Sequence, residues 1–282
     1  MSKIIITGSA GMLGQALARI LQEKREDFTG LTHSDLDITD KKKVQETLSS
    51  LTPSLVIHTA AWTDVDGCEK DPKKAFLINE SGTENVVMAC KKNKTRIVYI
   101  STDFVFDGKK NTPYTEEDRP NPINVYGSSK LAGEEKLRQN LKAYLIVRSS
   151  WLFGPGKQNF VTKVLSLAEK DAPLKIVEDQ VGTPTYTRDL GYGILKLIET
   201  FSPGLYHITN SGCASRYEWA KAILEYSGLG EVEIMPIKHK DFLETAPRPH
   251  FSALGSKRIQ SALPHWQEAL MDYLNLYEKS KV

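Results

Sequence analysis

The opening of the chain, MSKIIITGSAGMLG, carries the tightest constraint on its fold. A β-branched run, KIIIT at 3–7, stops at Gly8, and Gly11 and Gly14 follow at GxxGxxG spacing as a helical pattern begins. Glycines between a strand and a helix permit a tight turn, close approach of backbone to a pyrophosphate, and close packing of helix on strand. The helix N-terminus adds unpaired N–H groups and the positive end of its dipole, both suited to phosphate. Ala10, Met12 and Leu13, in the same loop and first turn, are expected against a dinucleotide together with Gly8, Gly11 and Gly14.

The rest of the first half repeats the strand-then-helix alternation. Strand candidates recur at 27–32, 54–60, 95–102 and 143–150, with helical stretches at 12–24, 40–51, 74–92 and 126–140. Continuous apolar strands separated by helices predict an α/β fold with a parallel sheet covered on both faces. Right-handed crossovers make that sheet doubly wound and Rossmann-like. Residues 1–150 are expected to form the nucleotide-binding domain and to carry the catalytic residues. Beyond 150 prolines punctuate the pattern and strands shorten (LKIVED, GLYHIT, VEIMPI). Residues 151–282 are therefore expected to form a smaller mixed α/β region for substrate, with some segments returning to the core. The terminal EKSKV is expected to fray.

Charge and cysteine usage exclude several classes. With 37 basic and 35 acidic residues, nothing suggests a nucleic-acid stripe or a polybasic membrane anchor. No apolar run approaches the roughly 20 residues of a membrane span, and the N-terminus runs into a strand without a signal core. Cys68, Cys90 and Cys213 are far apart, which fits a reducing compartment and neither a disulfide framework nor a zinc site. The expectation is a cytoplasmic protein with no nucleic-acid or membrane partner.

The second strand decides which dinucleotide. An acid there holds the adenine ribose hydroxyls and excludes a 2′-phosphate. This strand instead ends in Thr32, His33 and Ser34, with Asp35 and Asp37 slightly late. NADP(H) is expected, with NAD(H) the alternative; His33 either meets the phosphate or is a plain surface residue. Asp37 and Ile38 read as a carboxylate for the adenine amino group with an apolar wall beside it. The competing reading is a helix cap, for which Asp40 is better placed. Ala60 and Ala61, with Thr63 close behind, end the third strand where cofactor backbone could approach; otherwise they are small core residues.

Two further stretches carry chemistry: ISTDFVFDG at the end of the fourth strand, and NVYGSSKLAGEE, which sets Tyr126 four residues before Lys130. At that spacing the two side chains share one helical face. A carbonyl reductase delivers hydride to carbon while a proton reaches oxygen. A phenol, pKa about 10, is a poor acid-base group at neutral pH, and a nearby ammonium draws it towards the working range. Strand alternation sends Thr102 and Ser101 to opposite faces.

The order and spacing of the glycine loop, Thr102 and Tyr126-x-x-x-Lys130 resemble the extended short-chain dehydrogenase/reductase superfamily. Within it, the words AAWTDVDGCEKD, STDFVFDG, YGSSKLAGE, VRSSWLFG, NFV, DQVGTPTYTRDL, GLYHITN and APRP are similar to those of the dTDP-4-dehydrorhamnose reductase family. The resemblance implies NADPH-dependent reduction of the 4-keto group of a dTDP-linked 4-keto-6-deoxyhexose, dTDP-4-dehydrorhamnose, to dTDP-L-rhamnose. Tyr126 would be the acid, and Lys130 would tune it and hold the nicotinamide ribose. Thr102 would orient the carbonyl, and Asn79 would join a proton relay beside the cofactor.

On the substrate side, Trp151 reads as packing on the deoxysugar or as ordinary interdomain core, and Arg248 as holding the diphosphate or forming a structural salt bridge, with Gln180 and Thr183 lining the same pocket. Asp103 and Phe104 belong to its substrate side, although strand alternation would turn Asp103 away. Phe104 stands where sugar-nucleotide 4,6-dehydratases carry a catalytic Glu, and where these reductases more often carry Tyr, so dehydration is disfavoured. A homodimer is implied by analogy alone. No metal is expected, since Gln15 and Ala16 replace the acid anticipated early in the first helix. The alternatives are another nucleotide-deoxysugar reductase or epimerase, or a non-catalytic regulatory subunit similar to the β-subunit of methionine adenosyltransferase.

Overall fold

A computed structural model describes residues 3–170, 173–241, 245–259 and 263–279, so the tail expected to fray lies outside the described residues from 280 onward. The first half runs β1 (Ile4–Thr7), α1 (Met12–Glu23), β2 (Phe28–Leu31), α2 (Lys41–Leu51), β3 (Leu55–His58), α3 (Val65–Lys70), α4 (Pro72–Phe76), α5 (Thr83–Asn93), β4 (Arg96–Thr102), α6 (Val125–Asn140) and β5 (Tyr144–Ser149). The second half runs β6 (Leu152–Phe153), α7 (Phe160–Ala168), β7 (Leu174–Val177), β8 (Val181–Gly182), β9 (Thr185–Tyr186), α8 (Thr187–Thr200), β10 (Gly204–His207), β11 (Asn210–Ser211), β12 (Ala214–Ser215), α9 (Arg216–Tyr226), β13 (Ile234–Ile237), β14 (Leu263–His265) and α10 (Trp266–Lys279).

Six parallel strands in the order β10-β5-β4-β3-β1-β2 form the central sheet. Side-chain alternation in β1 shows why both faces must be covered. Ile4 and Ile6 pack with Leu17 of α1 and Leu190 and Ile194 of α8, while Ile5 between them packs with Val44 and Leu48 of α2 and Val86 of α5. The edge strand β10 comes from beyond residue 200, so the later chain completes the sheet. A second core lies away from it, where Phe153, Tyr186, Trp219, Trp266 and Tyr273 gather between α7, α9 and α10.

The helix expected at 74–92 is present, helical from Pro72 to Asn93 with a π-helical turn inside it, and short α3 precedes it. Asp64 caps α3 by accepting from the Gly67 N–H at 3.0 Å, and Asp71 caps α4 by accepting from Lys74 N–H at 3.0 Å. Pro72 at the first helical position of α4 adds a stop and restart, because it has no N–H to donate. A π-helical turn, Leu77–Gly82, then leads into α5 and buries Asn79. The fourth strand also ends sooner than alternation implies: β4 stops at Thr102, and a 3₁₀ turn, Asp103–Val105, follows.

Candidate active site

A cleft of about 1050 Å³ opens at the carboxyl ends of β1, β3, β4 and β5. Its first half is backbone. Gly8 sits at φ +69°, and a Cβ there would lie 2.7 Å from the Cα and N of Ala60. Only glycine lets this turn touch the end of β3. Gly11 is the N-cap of α1 and offers no side chain to the helix's first N–H groups, and the first turn contains no acid. Those open donors, together with Ala10, Met12, Leu13 and Gly14 on the cleft wall, fit the pyrophosphate of a dinucleotide.

His33, Asp37, Ile38, Ala60, Ala61 and Thr63 line the same half. The Asp35 carboxylate is committed to Thr32, accepting from its N–H at 2.8 Å and its hydroxyl at 2.6 Å. Asp37 accepts from the N–H of Thr39 at 2.9 Å and from its hydroxyl at 2.8 Å, and these bonds hold its carboxyl below the usual carboxylate range. The cap of α2 is Asp40, which accepts from the Lys43 N–H. Lys74 also reaches this wall, its ammonium 4.7 Å from the Trp62 ring centre.

Asn79 does not line the cleft. It is fully buried, with Nδ2 donating to Trp62 O and Ser129 Oγ at 3.0 Å each and Oδ1 accepting from Trp62 N at 2.8 Å. Rather than standing beside the cofactor, it staples the 60–63 loop to α6.

The second half is set by the start of α6. Asn124 caps it, accepting from Gly127 N–H at 2.7 Å, while its own Nδ2 donates to Pro247 O at 2.9 Å. A Cβ on Gly127 would fall 2.0 Å from Phe104 O, so the helix can lie directly on the 3₁₀ turn only because residue 127 has no side chain. That contact brings Tyr126 into the cleft beside Thr102 and sets its ring edge-on to Phe104, centroids 5.9 Å apart at 76°.

Burial raises the Tyr126 pKa above its ordinary 10, and the bond with Thr102 only partly opposes this. Lys130, 3% exposed, holds its Nζ 4.1 Å from the centre of the Tyr99 ring. Burial lowers its pKa to about 7, against the restoring charge of Glu134. For both groups burial is the largest influence, disfavouring the charged form and so raising Tyr126 and lowering Lys130.

Beneath the site lies an ionic knot that sequence reasoning missed. Glu134, one turn beyond Lys130, accepts from Ser101 Oγ at 2.6 Å, from Arg148 Nε and Nη2 at 2.7 Å each, and from Arg138 Nη2 at 2.7 Å. Burial opposes ionisation, but the Arg148 charge and these bonds keep the carboxyl below its ordinary value. The Ser101 hydroxyl is thereby committed away from Thr102. Asp103 corrects the alternation argument: the 3₁₀ turn brings its carboxylate back, so that Oδ1 accepts from Thr102 Oγ1 at 3.1 Å. Oδ2 accepts from Ser252 Oγ at 2.5 Å.

On the substrate side Trp151, at φ +46°, lines the cleft and stacks on Trp219 with ring centroids 5.7 Å apart. The Arg216 guanidinium lies 3.5 Å from the Trp151 ring centre and also faces the cleft. Its position was readable, since Ser215 and Glu218 form a capping box and place Arg216 at the first turn of α9.

Gln180, Thr183 and Arg248 do not line the cleft. Gln180 pairs with His239 Nδ1 at 2.9 Å, and Thr183 accepts from Leu254 N–H at 3.3 Å. Arg248 holds Asp66 through Nη2 at 3.0 Å and Nη1 at 3.2 Å, which pulls that carboxyl down to about 2 and ties the late segment to α3.

This arrangement has close counterparts. The Bacillus subtilis (strain 168) spore coat polysaccharide biosynthesis protein SpsK is 41% identical over 277 residues, 97% of each chain. A dTDP-4-dehydrorhamnose reductase of Mycolicibacterium smegmatis is 36% identical over 96% of this chain and 84% of its own length. The crystal structure of dTDP-4-dehydrorhamnose reductase from Bacillus anthracis in complex with NADP superposes with a TM-score of 0.95 at 37% identity, covering 98% of this chain and 99% of that one. Residues 2–279 match a single family description, the RmlD substrate binding domain, and the chain belongs to that family.

Proposed function

We propose that the protein reduces the 4-keto group of dTDP-4-dehydrorhamnose to give dTDP-L-rhamnose, using NADPH. The observation that carries this reading is that Thr102, Tyr126 and Lys130 line together the cleft that begins at the Gly8 turn. Relatives that carry the dTDP-4-dehydrorhamnose reductase name, and the NADP complex of one of them, support it. In this reading residues 1–150 hold the cofactor, residues 151–282 hold the sugar nucleotide, and the protein works in the cytoplasm. The described residues include no helix long and apolar enough to cross a membrane.

When bound, the nicotinamide supplies hydride. Gly11, Met12, Leu13 and Gly14 would hold its pyrophosphate, and His33 would face its 2′-phosphate. Tyr126, with its pKa raised by burial, holds its proton at neutral pH, as a group that must deliver one requires. As negative charge develops on the sugar oxygen, Tyr126 gives up that proton, and a protonated Lys130 one helical turn away stabilises the phenolate. Thr102 holds the reacting oxygen in place. Trp151 offers its indole to the deoxysugar, and Arg216, beside it, supplies positive charge where a diphosphate enters.

The test is turnover of a panel of nucleotide-linked 4-keto-6-deoxyhexoses, following NADPH consumption and identifying the product sugar. Loss of NADPH with formation of dTDP-L-rhamnose is expected. Selective reduction of a different keto-sugar would move the assignment to another reductase, and no reduction of any would end it.

A further inference from the structure

We infer that Asp103 is a positioning residue whose proton sets the sense of the Thr102 hydroxyl, under the control of Ser252 from the late C-terminal segment. Asp103 is 2% exposed and Ser252 1% exposed, so both lie within the protein behind the reacting groups. Ser252 is fixed from its own side, since its N–H donates to Val181 O at 2.8 Å where Phe251 pairs with Val181. Its hydroxyl donates to Asp103 Oδ2 at 2.5 Å.

The proton count gives the argument. A threonine hydroxyl has one proton and two acceptor positions, and an ionised carboxylate only accepts. While Asp103 is ionised, the Thr102 proton points at Oδ1, 3.1 Å away. One of its acceptor positions takes the Phe104 N–H at 3.2 Å. In that state Thr102 presents no proton to a substrate oxygen.

One proton added to Asp103 at Oδ1 reverses the chain. The carboxyl O–H then donates to Thr102 Oγ1, and Ser252 continues to donate to Oδ2. Asp103 and Phe104 then fill both acceptor positions of Thr102. The Thr102 proton turns into the cleft, where with that of Tyr126 it can meet the carbonyl oxygen. One proton is taken up, and only hydrogen bonds change. Two donors aimed at a developing oxyanion are the arrangement that stabilises it.

The groups facing this carboxyl come from three elements: Tyr126 on α6, Arg216 on α9 and Ser252 on the late segment. Burial raises the Asp103 pKa to about 6, while the bonds from Ser252 and Thr102 and the charge of Arg216 oppose it. The switch therefore works within ordinary pH, and Lys130, lowered to about 7, titrates separately.

The kinetic part of the test rests on the reductase reading; the spectroscopic part does not. In full-length protein with ¹³C-labelled aspartate side chains, the Asp103 carboxyl signal is identified by its loss in Asp103→Asn and titrated by NMR. Ser252→Ala and Thr102→Val should each move that titration to higher pH, because each removes a bond to the ionised form. In turnover, wild-type kcat/KM should rise roughly tenfold or more as pH falls through the Asp103 titration. Ser252→Ala should shift that limb upward with the NMR titration, and Asp103→Asn should lose it while keeping the separate limb of Lys130. An Asp103 titration unmoved by both Ser252→Ala and Thr102→Val overturns the inference, as does an unchanged kinetic limb in Asp103→Asn. If no keto-sugar is turned over, the reductase reading falls alone, and the NMR titration still decides where the protons lie.

Discussion

The ammonium of Lys130 lies 4.1 Å from the centre of the Tyr99 ring, inside the protein, with Glu134 one helical turn further on. The aromatic face and the nearby carboxylate compensate the charge only in part, which is why burial brings the Lys130 pKa down to about 7. A base whose folded pKa lies below its unfolded value costs stability when it must be charged. Here the cost is present in full below pH 7 and fades as pH rises towards about 10.4, the unfolded lysine value.

Lys130→Met should therefore stabilise the fold, with the larger gain in melting temperature at pH 6 and a smaller one at pH 9. Turnover should fall in the same variant, because the cation that stabilises the Tyr126 phenolate is gone. Thermal unfolding at the two pH values checks the sign. A gain that grows with pH would show that Lys130 is not carrying a buried charge.

Tyr126→Phe should retain the edge-on packing against Phe104 and retain NADPH binding, while turnover falls by roughly 10²–10⁴, the usual worth of a positioned acid. Cofactor titration by fluorescence alongside steady-state kinetics separates the two effects. Turnover within a few-fold of wild type would remove Tyr126 from proton transfer.

The sequence reading reached the sheet and the glycine turn because both are written locally, in strand and helix periods and in residues next to one another. Tyr126 and Lys130 were visible for the same reason. Asp103 was misjudged because alternation holds only while the strand lasts, and β4 gives way to a 3₁₀ turn at that residue. Of the two readings for Arg248, a diphosphate contact or a structural salt bridge, the structure has the salt bridge, and its partner Asp66 lies 182 positions away, beyond any local pattern. Glu134 and Arg148 are hidden in the same way: fourteen residues apart on a helix and a strand, they meet only when α6 docks on the sheet. Asn79 looked like a helix-borne cofactor contact, whereas the π-helical turn directs it inward to Trp62 and Ser129.

Cofactor choice rests on the end of β2, where His33 faces the cleft and the Asp35 carboxylate is occupied by Thr32. His33→Asp should place a negative charge against the 2′-phosphate and shift the kcat/KM ratio towards NADH. Coulomb repulsion between a surface carboxylate and a phosphate a few ångströms apart is worth about 1 kcal/mol or more, so a shift of roughly tenfold is expected. Wild-type kinetics with both cofactors set the baseline. A wild-type preference for NADH would show that the strand end was misread.

The last prediction concerns the reaction this cleft does not perform. Dehydration of a nucleotide-linked glucose requires a base to remove a ring proton after the C4 hydroxyl is oxidised. Phe104 offers a ring whose edge is already engaged with Tyr126, and it carries no group able to accept that proton. Asp103, on the cleft wall beside Phe104, is buried and held by Ser252 at 2.5 Å and by Thr102 at 3.1 Å. Wild-type protein incubated with dTDP-glucose and NADP⁺ should therefore form no 4-keto-6-deoxy product, while the same preparation reduces 4-keto-6-deoxy substrates with NADPH. Phe104→Glu should not restore dehydration, because a base misplaced by 1 Å already forfeits about a hundredfold. The alkali-sensitive absorbance of the keto-sugar reads the outcome directly. Its accumulation with wild-type protein would overturn the reductase assignment, since it would mean that a proton acceptor reaches the sugar ring from somewhere other than residue 104.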